Sequence, residues 1–390
     1  MAQYSATLAE PTPRLDALTG LRWWAAFMVF LFHMRVLAPL PGPIVALFDQ
    51  GYFGVTFFFV LSGFVLTWSL RPGVPLSTFY WRRFARIWPP HMVALLVAIP
   101  VFYTLAPIPE GSFLKPFDAG VLLLSVVLLQ GWSANPAILF SGNPAAWTLS
   151  VEALFYALHP WVSRILTPLA QRGALLLALG ALAWAFSYRI GLWFWPESWL
   201  AHVPPPVTRV PEFIFGMALA WAVRSGWRLR IHPVIGVGSL AAVVCVFVLA
   251  RVMPQLLPFA YLGNEFFTVA VGLAIVSLTV HTLNGRRFLF ETRWQVKLGE
   301  WSFAFYLIHA TVIYTALRIF GYQEPSWRNL VWFAAILAID IVLAWALYSF
   351  IERPVERGMR RWKDNRDRRS ADAATALGEH RRVDAGERSL

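Results

Sequence analysis

Charge is scarce in this sequence. Aspartate, glutamate, lysine and arginine together make up 14% of its 390 residues, where a soluble protein carries roughly 25%. Hydrophobic residues make up 58%, and mean hydropathy is +0.57. An ordinary soluble domain is excluded. Cysteine occurs once, at Cys245, which excludes an intrachain disulfide and any cysteine-based metal site. Neither a zinc-ligand spacing nor a glycine-rich nucleotide loop is present, and no metal is expected. No internal repeat is evident, and the apolar blocks lack the alternation of barrel strands. A secretory signal peptide is not expected either, because a polar, proline-containing stretch precedes the first apolar block.

What is present is a series of apolar blocks of the length a helix needs to cross a bilayer core of roughly 30 Å. They lie at 20–40, 51–70, 87–106, 119–131, 147–166, 173–195, 210–224, 233–252, 262–283, 301–320 and 328–351. The block 119–131 is too short to cross and reads as a re-entrant or interfacial piece. The fold class expected is therefore an all-α polytopic membrane protein, with about ten transmembrane helices plus that one short segment. The net charge of +12 is carried between the blocks. Arg71, Arg82, Arg83 and Arg86 fall in 71–86, three arginines in 224–230, and Arg286, Arg287, Arg293 and Lys297 in 284–297, while 36–50 has no lysine or arginine. This is the pattern of cytoplasmic loops in a multi-pass plasma-membrane protein with both termini cytoplasmic, and it argues against nucleic acid as a partner. Residues 1–356 read as one membrane domain and 357–390 as a disordered cytoplasmic tail, since the tail mixes charges without apolar periodicity.

Several polar residues sit inside these blocks. Arg22 and His33 are eleven positions apart, so on a helix they share a face about 16 Å apart along the axis. An ionisable group at the depth of His33 is costly in lipid and marks a functional position or a satisfied interhelix contact. Arg82, Arg83 and Arg86 cluster at a helix start beside Trp81 and Trp88, an arrangement suited to phosphate groups and equally to anionic lipid headgroups. Gly51, Gly54, Ser62 and Gly63 are small enough for close helix packing. Glu152, Tyr156 and His159 share one helix face. A carboxylate there either orients a histidine for general-base chemistry or is satisfied by a neighbouring helix. Ser302 and His309 stand seven apart, and Asp340 lies alone in the last block, where an interhelix hydrogen bond is expected.

Taken in order, RLDALTGLRWWAAFMVFLFH, GYFGVTFFFVLSGFVLT, FYWRRFARIWP, WTLSVEALFYALHP, LGEWSFAFYLIH and FIERPVER resemble acyltransferase family 3, the integral membrane O-acyltransferases. The resemblance covers nearly everything except the tail. It implies a ten-helix core that takes an acyl group from cytoplasmic acyl-CoA, acetyl-CoA foremost, and esterifies a hydroxyl. The acceptor it implies is a glycan, a lipid-linked sugar or a macrolide-type small molecule. The family's arginine and histidine of the first span fall on Arg22 and His33, its basic motif on Arg83 and Arg86, and its Trp…Glu motif on Trp147 and Glu152. Ala153 departs from the pattern, because many members have a second acidic residue there. Many members also carry an extracytoplasmic domain, which is not expected here.

On that basis Arg22, Arg82, Arg83 and Arg86 are expected to hold the donor's phosphates, with acyl-CoA bound as co-substrate rather than as a resident cofactor. His33 is the expected base at the acceptor hydroxyl, or the residue that carries the acyl group covalently. Glu152 would orient an imidazole if the two spans meet. Ser62, Asn143 and Tyr156 are candidate oxyanion donors, and Trp147 and His309 substrate or structural positions. The alternative is a proton-coupled transporter or flippase of a glycan or lipid-linked sugar, in which the buried histidine and glutamate form a proton path.

Overall fold

The computed structural model describes residues 12–71, 73–108 and 112–369. Helices joined by loops make up the described residues, with one two-residue parallel pairing of Tyr103–Thr104 with Lys115–Pro116. In chain order the principal helices are α1 (Asp16–Met34), α2 (Phe53–Trp68), α3 (Leu76–Phe102), α4 (Ala119–Val126), α5 (Trp147–Leu166), α6 (Gln171–Phe194), α7 (Val210–Arg224), α8 (Pro233–Ala250), α9 (Gly263–Leu283), α10 (Arg293–Phe320) and α11 (Leu330–Leu347). Eight segments among the described residues are long and apolar enough to cross a membrane, containing α1, α2, α3, α6, α8, α9, α10 and α11. About ten spans were expected; the more polar α5 and the fifteen-residue α7 are the two helices that fall short of that measure among the described residues. The block at 119–131 forms only the eight-residue α4, held beside α3 by Trp88 Nε1, which donates to the Val126 carbonyl at 3.2 Å, and by His91 Nε2, 2.9 Å from the Ser125 carbonyl.

Almost every residue of α7 is buried, as expected for a helix apolar on all sides at the centre of a bundle. Its crossing with α2 is tight. A Cβ on Gly63 would collide with the Phe213 carbonyl, and one on Gly216 with that of Val60. Gly51 and Gly54 meet the Met28 and Ala25 carbonyls of α1 in the same way, so these glycines permit backbone contact between helices.

The basic segments converge on one end of the bundle. Arg14 bridges to Glu300 at 2.8 Å, Trp68 Nε1 donates to the Pro13 carbonyl, and Arg224 donates to the carbonyls of Thr67, Trp68 and Leu70. At the opposite end Arg35 and Arg251 both pair with Asp49, and the Gln323 amide reaches the Leu37 carbonyl.

Two expectations need correction. The segment 357–369 is helical rather than disordered: after α11 a π-helical turn, Tyr348–Glu352, leads into helix that continues to Arg369. Contacts explain it. Trp81 Nε1 donates to the Met359 carbonyl, Arg82 pairs with Asp364 at 3.0 Å, and Thr78 donates to Asp367. The remainder of the expected tail, 370–390, lies outside the described residues. Asp340 makes no interhelix hydrogen bond: it is fully buried with both carboxylate oxygens unpartnered among the described residues. The neighbouring turns of its helix bury Phe333, Ile336, Ala344 and Leu347, none of which has a side-chain donor.

Candidate active site

Five helices line a partly open cavity whose empty space, counted out to its mouth, is about 570 Å³. Arg22 of α1 and Arg86 of α3 stand at its end nearer the basic loops, Glu152 and Tyr156 of α5 and Ser302 of α10 near them, and Thr148 of α5 with Tyr306 of α10 deeper in. Val55, Phe58 and Phe59 of α2 make an apolar wall. An adjoining pocket shares Arg22, Arg86, Glu152 and Tyr156 and adds Arg83 and Ser62. Arg22, Arg83 and Arg86 therefore come from two helices to one place, and Arg83 lies 5.8 Å over the Tyr156 ring. Arg22 makes no hydrogen bond or ion pair among the described residues, so its donors are available to a ligand. Arg82 turns away to Asp364.

His33 stands near the end of α1, three turns from Arg22 and outside the cavity lining, and it meets His309 of α10. Their rings are 4.9 Å apart, with His309 Nε2 at 3.3 Å from His33 Nδ1. His309 in turn lies 5.6 Å from the ring of the cavity residue Tyr306. Two carbonyls fix both tautomers, because a carbonyl oxygen can only accept. His309 Nδ1 is 2.7 Å from the Tyr306 carbonyl and therefore carries the proton, leaving its Nε2 as acceptor. His33 Nδ1, 2.9 Å from the Val29 carbonyl, carries the proton shared between that oxygen and His309. His33 Nε2 is left with a free lone pair, the form required of a general base.

The partner expected for that imidazole was Glu152, and the structure gives His309 instead. Glu152 faces Arg22 and Arg86 and accepts from Tyr156 at 3.4 Å. Asn143 is committed to structure: Nδ2 donates to the Leu307 carbonyl at 2.6 Å and Oδ1 accepts from the Ala145 amide. It thus ties the loop before α5 to the backbone beside His309. Trp147 packs edge-on behind the wall residue Phe59, and His159 stacks on Phe79; neither lines the cavity itself. Tyr306 was not picked out by sequence reasoning. Its hydroxyl is 3.3 Å from the Ala145 carbonyl and receives one from Thr148 at 3.2 Å. Glu352 and Glu356 were also missed as site residues. They lie 3.9 and 3.6 Å from Arg86, and Glu352 is 1% exposed with neither oxygen hydrogen-bonded. Their signal is the pair of glutamates four apart in FIERPVER, which on a helix share a face.

A family model described as an acyltransferase domain matches residues 15–349. The chain belongs to acyltransferase family 3. Among the similar proteins, Acyltransferase MdmB of Streptomyces mycarofaciens is 32% identical over 372 residues, covering 88% of this chain and 92% of that protein. Nodulation protein 10 of Rhizobium leguminosarum bv. viciae is 27% identical, over 86% of this chain and 91% of its own. Peptidoglycan O-acetyltransferase OatA of Listeria monocytogenes is 23% identical over 88% of this chain, which spans only 56% of that relative's length. No solved structure matches. The chain is thus an integral membrane member of an O-acyltransferase family.

Proposed function

We propose that the protein transfers an acyl group, acetyl foremost, from cytoplasmic acyl-CoA to a hydroxyl of a glycan, a lipid-linked sugar or a macrolide-type molecule in the plasma membrane. One observation carries the reading: a cavity with unpaired Arg22 at one end runs to Tyr306, and behind Tyr306 stands a histidine pair whose outer nitrogen is free. A coenzyme A thioester has anionic phosphates at one end, sulfur at the other and a largely uncharged arm between. Arg22, Arg83 and Arg86 would hold the phosphates by charge-assisted hydrogen bonds. The apolar wall of α2 would flank the arm. The basic end of the bundle, where both ends of the described chain lie, would face the cytoplasm.

In the transfer step His33 Nε2 takes the proton of the acceptor hydroxyl as its oxygen attacks the thioester carbonyl. Tyr306 and Thr148 are the nearest hydroxyls; each holds its single proton toward the Ala145 carbonyl and would have to turn it to the oxyanion. Collapse breaks the carbon–sulfur bond, the ester forms, and the leaving thiolate recovers the proton from His33. His309 accepts from His33 Nδ1 throughout and keeps Nε2 turned outward. Membranes carrying the wild type and His33→Ala, supplied with labelled acetyl-CoA, test this. Label should enter glycan or small-metabolite hydroxyls, seen as an added acyl mass, only with the wild type. Equal transfer by a normally expressed variant would remove His33 from the chemistry.

A further inference from the structure

A second polar constellation lies on the other side of α2 from the cavity, toward the end away from the basic loops. Thr56 of α2 donates to Asn264 Oδ1 of α9 at 2.6 Å, and Asn264 Nδ2 donates to Glu212 Oε1 of α7 at 2.7 Å. Arg209 donates to both Glu212 Oε1 and Asn264 Oδ1, at 2.6 and 2.8 Å. Alongside, Arg189 of α6 reaches Glu265 of α9 at 3.4 Å and lies over the Tyr261 ring. None of these residues lines the arginine-rich cavity.

Two features separate this cluster from a purely structural network. Glu212 and Glu265 are 2% and 3% exposed, yet each leaves Oε2 buried with no hydrogen-bond partner. A network that existed only to join helices would be expected to satisfy both, since a buried unpaired carboxylate oxygen is costly. Above them the rim is open: Arg189 and Arg209 are partly exposed and Tyr52 is exposed. Tyr52 also connects the cluster to the histidine pair, because its ring contacts Phe32 at 6.0 Å and Phe32 contacts His33 at 5.1 Å.

The geometry points to a subsite for the acceptor's neutral polyhydroxyl portion, a sugar ring, bound between Tyr52 and the Arg209–Glu212–Asn264–Glu265 network. This rests on the acyl-transfer reading for its role but not for its binding chemistry. Two arginines balance two glutamates, so an anion is repelled by the carboxylates and a cation by the guanidinium groups. An apolar group would leave both Oε2 atoms unsatisfied. Hydroxyls reaching past the rim donate to the two buried, unpartnered carboxylate oxygens and accept from the arginines, and the tyrosines supply the flat apolar faces usual in small-molecule sites.

The test uses the full-length protein in lipid nanodiscs with a macrolide bearing one neutral sugar, and with its aglycone. Binding is read by tryptophan fluorescence without acetyl-CoA, and acetyl-CoA consumption is read separately. The wild type should bind the glycoside more tightly than the aglycone. Glu212→Gln, Glu265→Gln and the rim variant Tyr52→Ala should each weaken glycoside binding about tenfold or more and leave aglycone binding and acetyl-CoA saturation unchanged. Equal binding of glycoside and aglycone by the wild type would overturn the subsite. So would glutamate variants that merely melt earlier while binding the glycoside as before. Should the protein consume no acetyl-CoA, the acyl-transfer reading fails while glycoside selectivity still reports on the subsite. If the glutamate variants do not fold, exposed Tyr52 carries the test.

Discussion

At the scale of single residues, the disposition of protons on His33 and His309 follows from carbonyl oxygens that can only accept. His309→Ala should lower kcat by on the order of 10²-fold with little change in KM for acetyl-CoA. His309→Gln can still offer an oxygen to His33 Nδ1 and should recover part of the loss, an outcome that simple loss of packing would not give. Arg22→Ala should raise the acetyl-CoA KM by roughly 10- to 100-fold, and Arg22→Lys by less, measured as initial rates at fixed acceptor. The shared helix face of Arg22 and His33 was legible in the sequence, because positions eleven apart on a helix lie on one side. The pairing of His33 with His309 was not legible, because it joins residues 276 positions apart and no local pattern encodes which helices meet. The same gap assigned Glu152 to an imidazole, when its nearest company is Arg22, Arg86 and Tyr156.

At the scale of helices, local composition was a good guide wherever a segment is uniformly apolar. The short block at 119–131 and the close-packing glycines could be read directly, since length and the absence of a side chain are local properties. Gly63→Leu should disrupt the α2–α7 crossing and cost about 1–3 kcal/mol or more, seen as a lower melting temperature in detergent. The helix after Glu352 was misread because its charges resemble a solvated tail. Its i,i+4 pairs, Glu356 with Arg360 and Lys363 with Asp367, are the helical signal that composition alone conceals. Charge reversal at Asp364 should loosen this helix from α3, measured as faster amide exchange over 353–369.

At the scale of the whole molecule, the ends of the bundle differ in charge, and the positive-inside pattern turns that difference into an orientation. In a Cys245→Ala background, Asn284→Cys should react with an impermeant maleimide only in inside-out vesicles and Glu324→Cys only on intact cells. Both positions are exposed, at opposite ends of the bundle. The reverse labelling would invert the topology and place the arginines away from the cytoplasmic acyl-CoA pool. The order of synthesis adds a consequence. Arg86 enters the bilayer early, but the glutamates that pair with it, Glu352 and Glu356, are translated among the last residues described. A nascent chain stopped after α11 would hold a guanidinium in the protein interior without those counter-charges. Synthesis of the segment after α11 thus supplies the counter-charges around Arg86, and a product terminated before it should be unstable enough for membrane proteases to remove it.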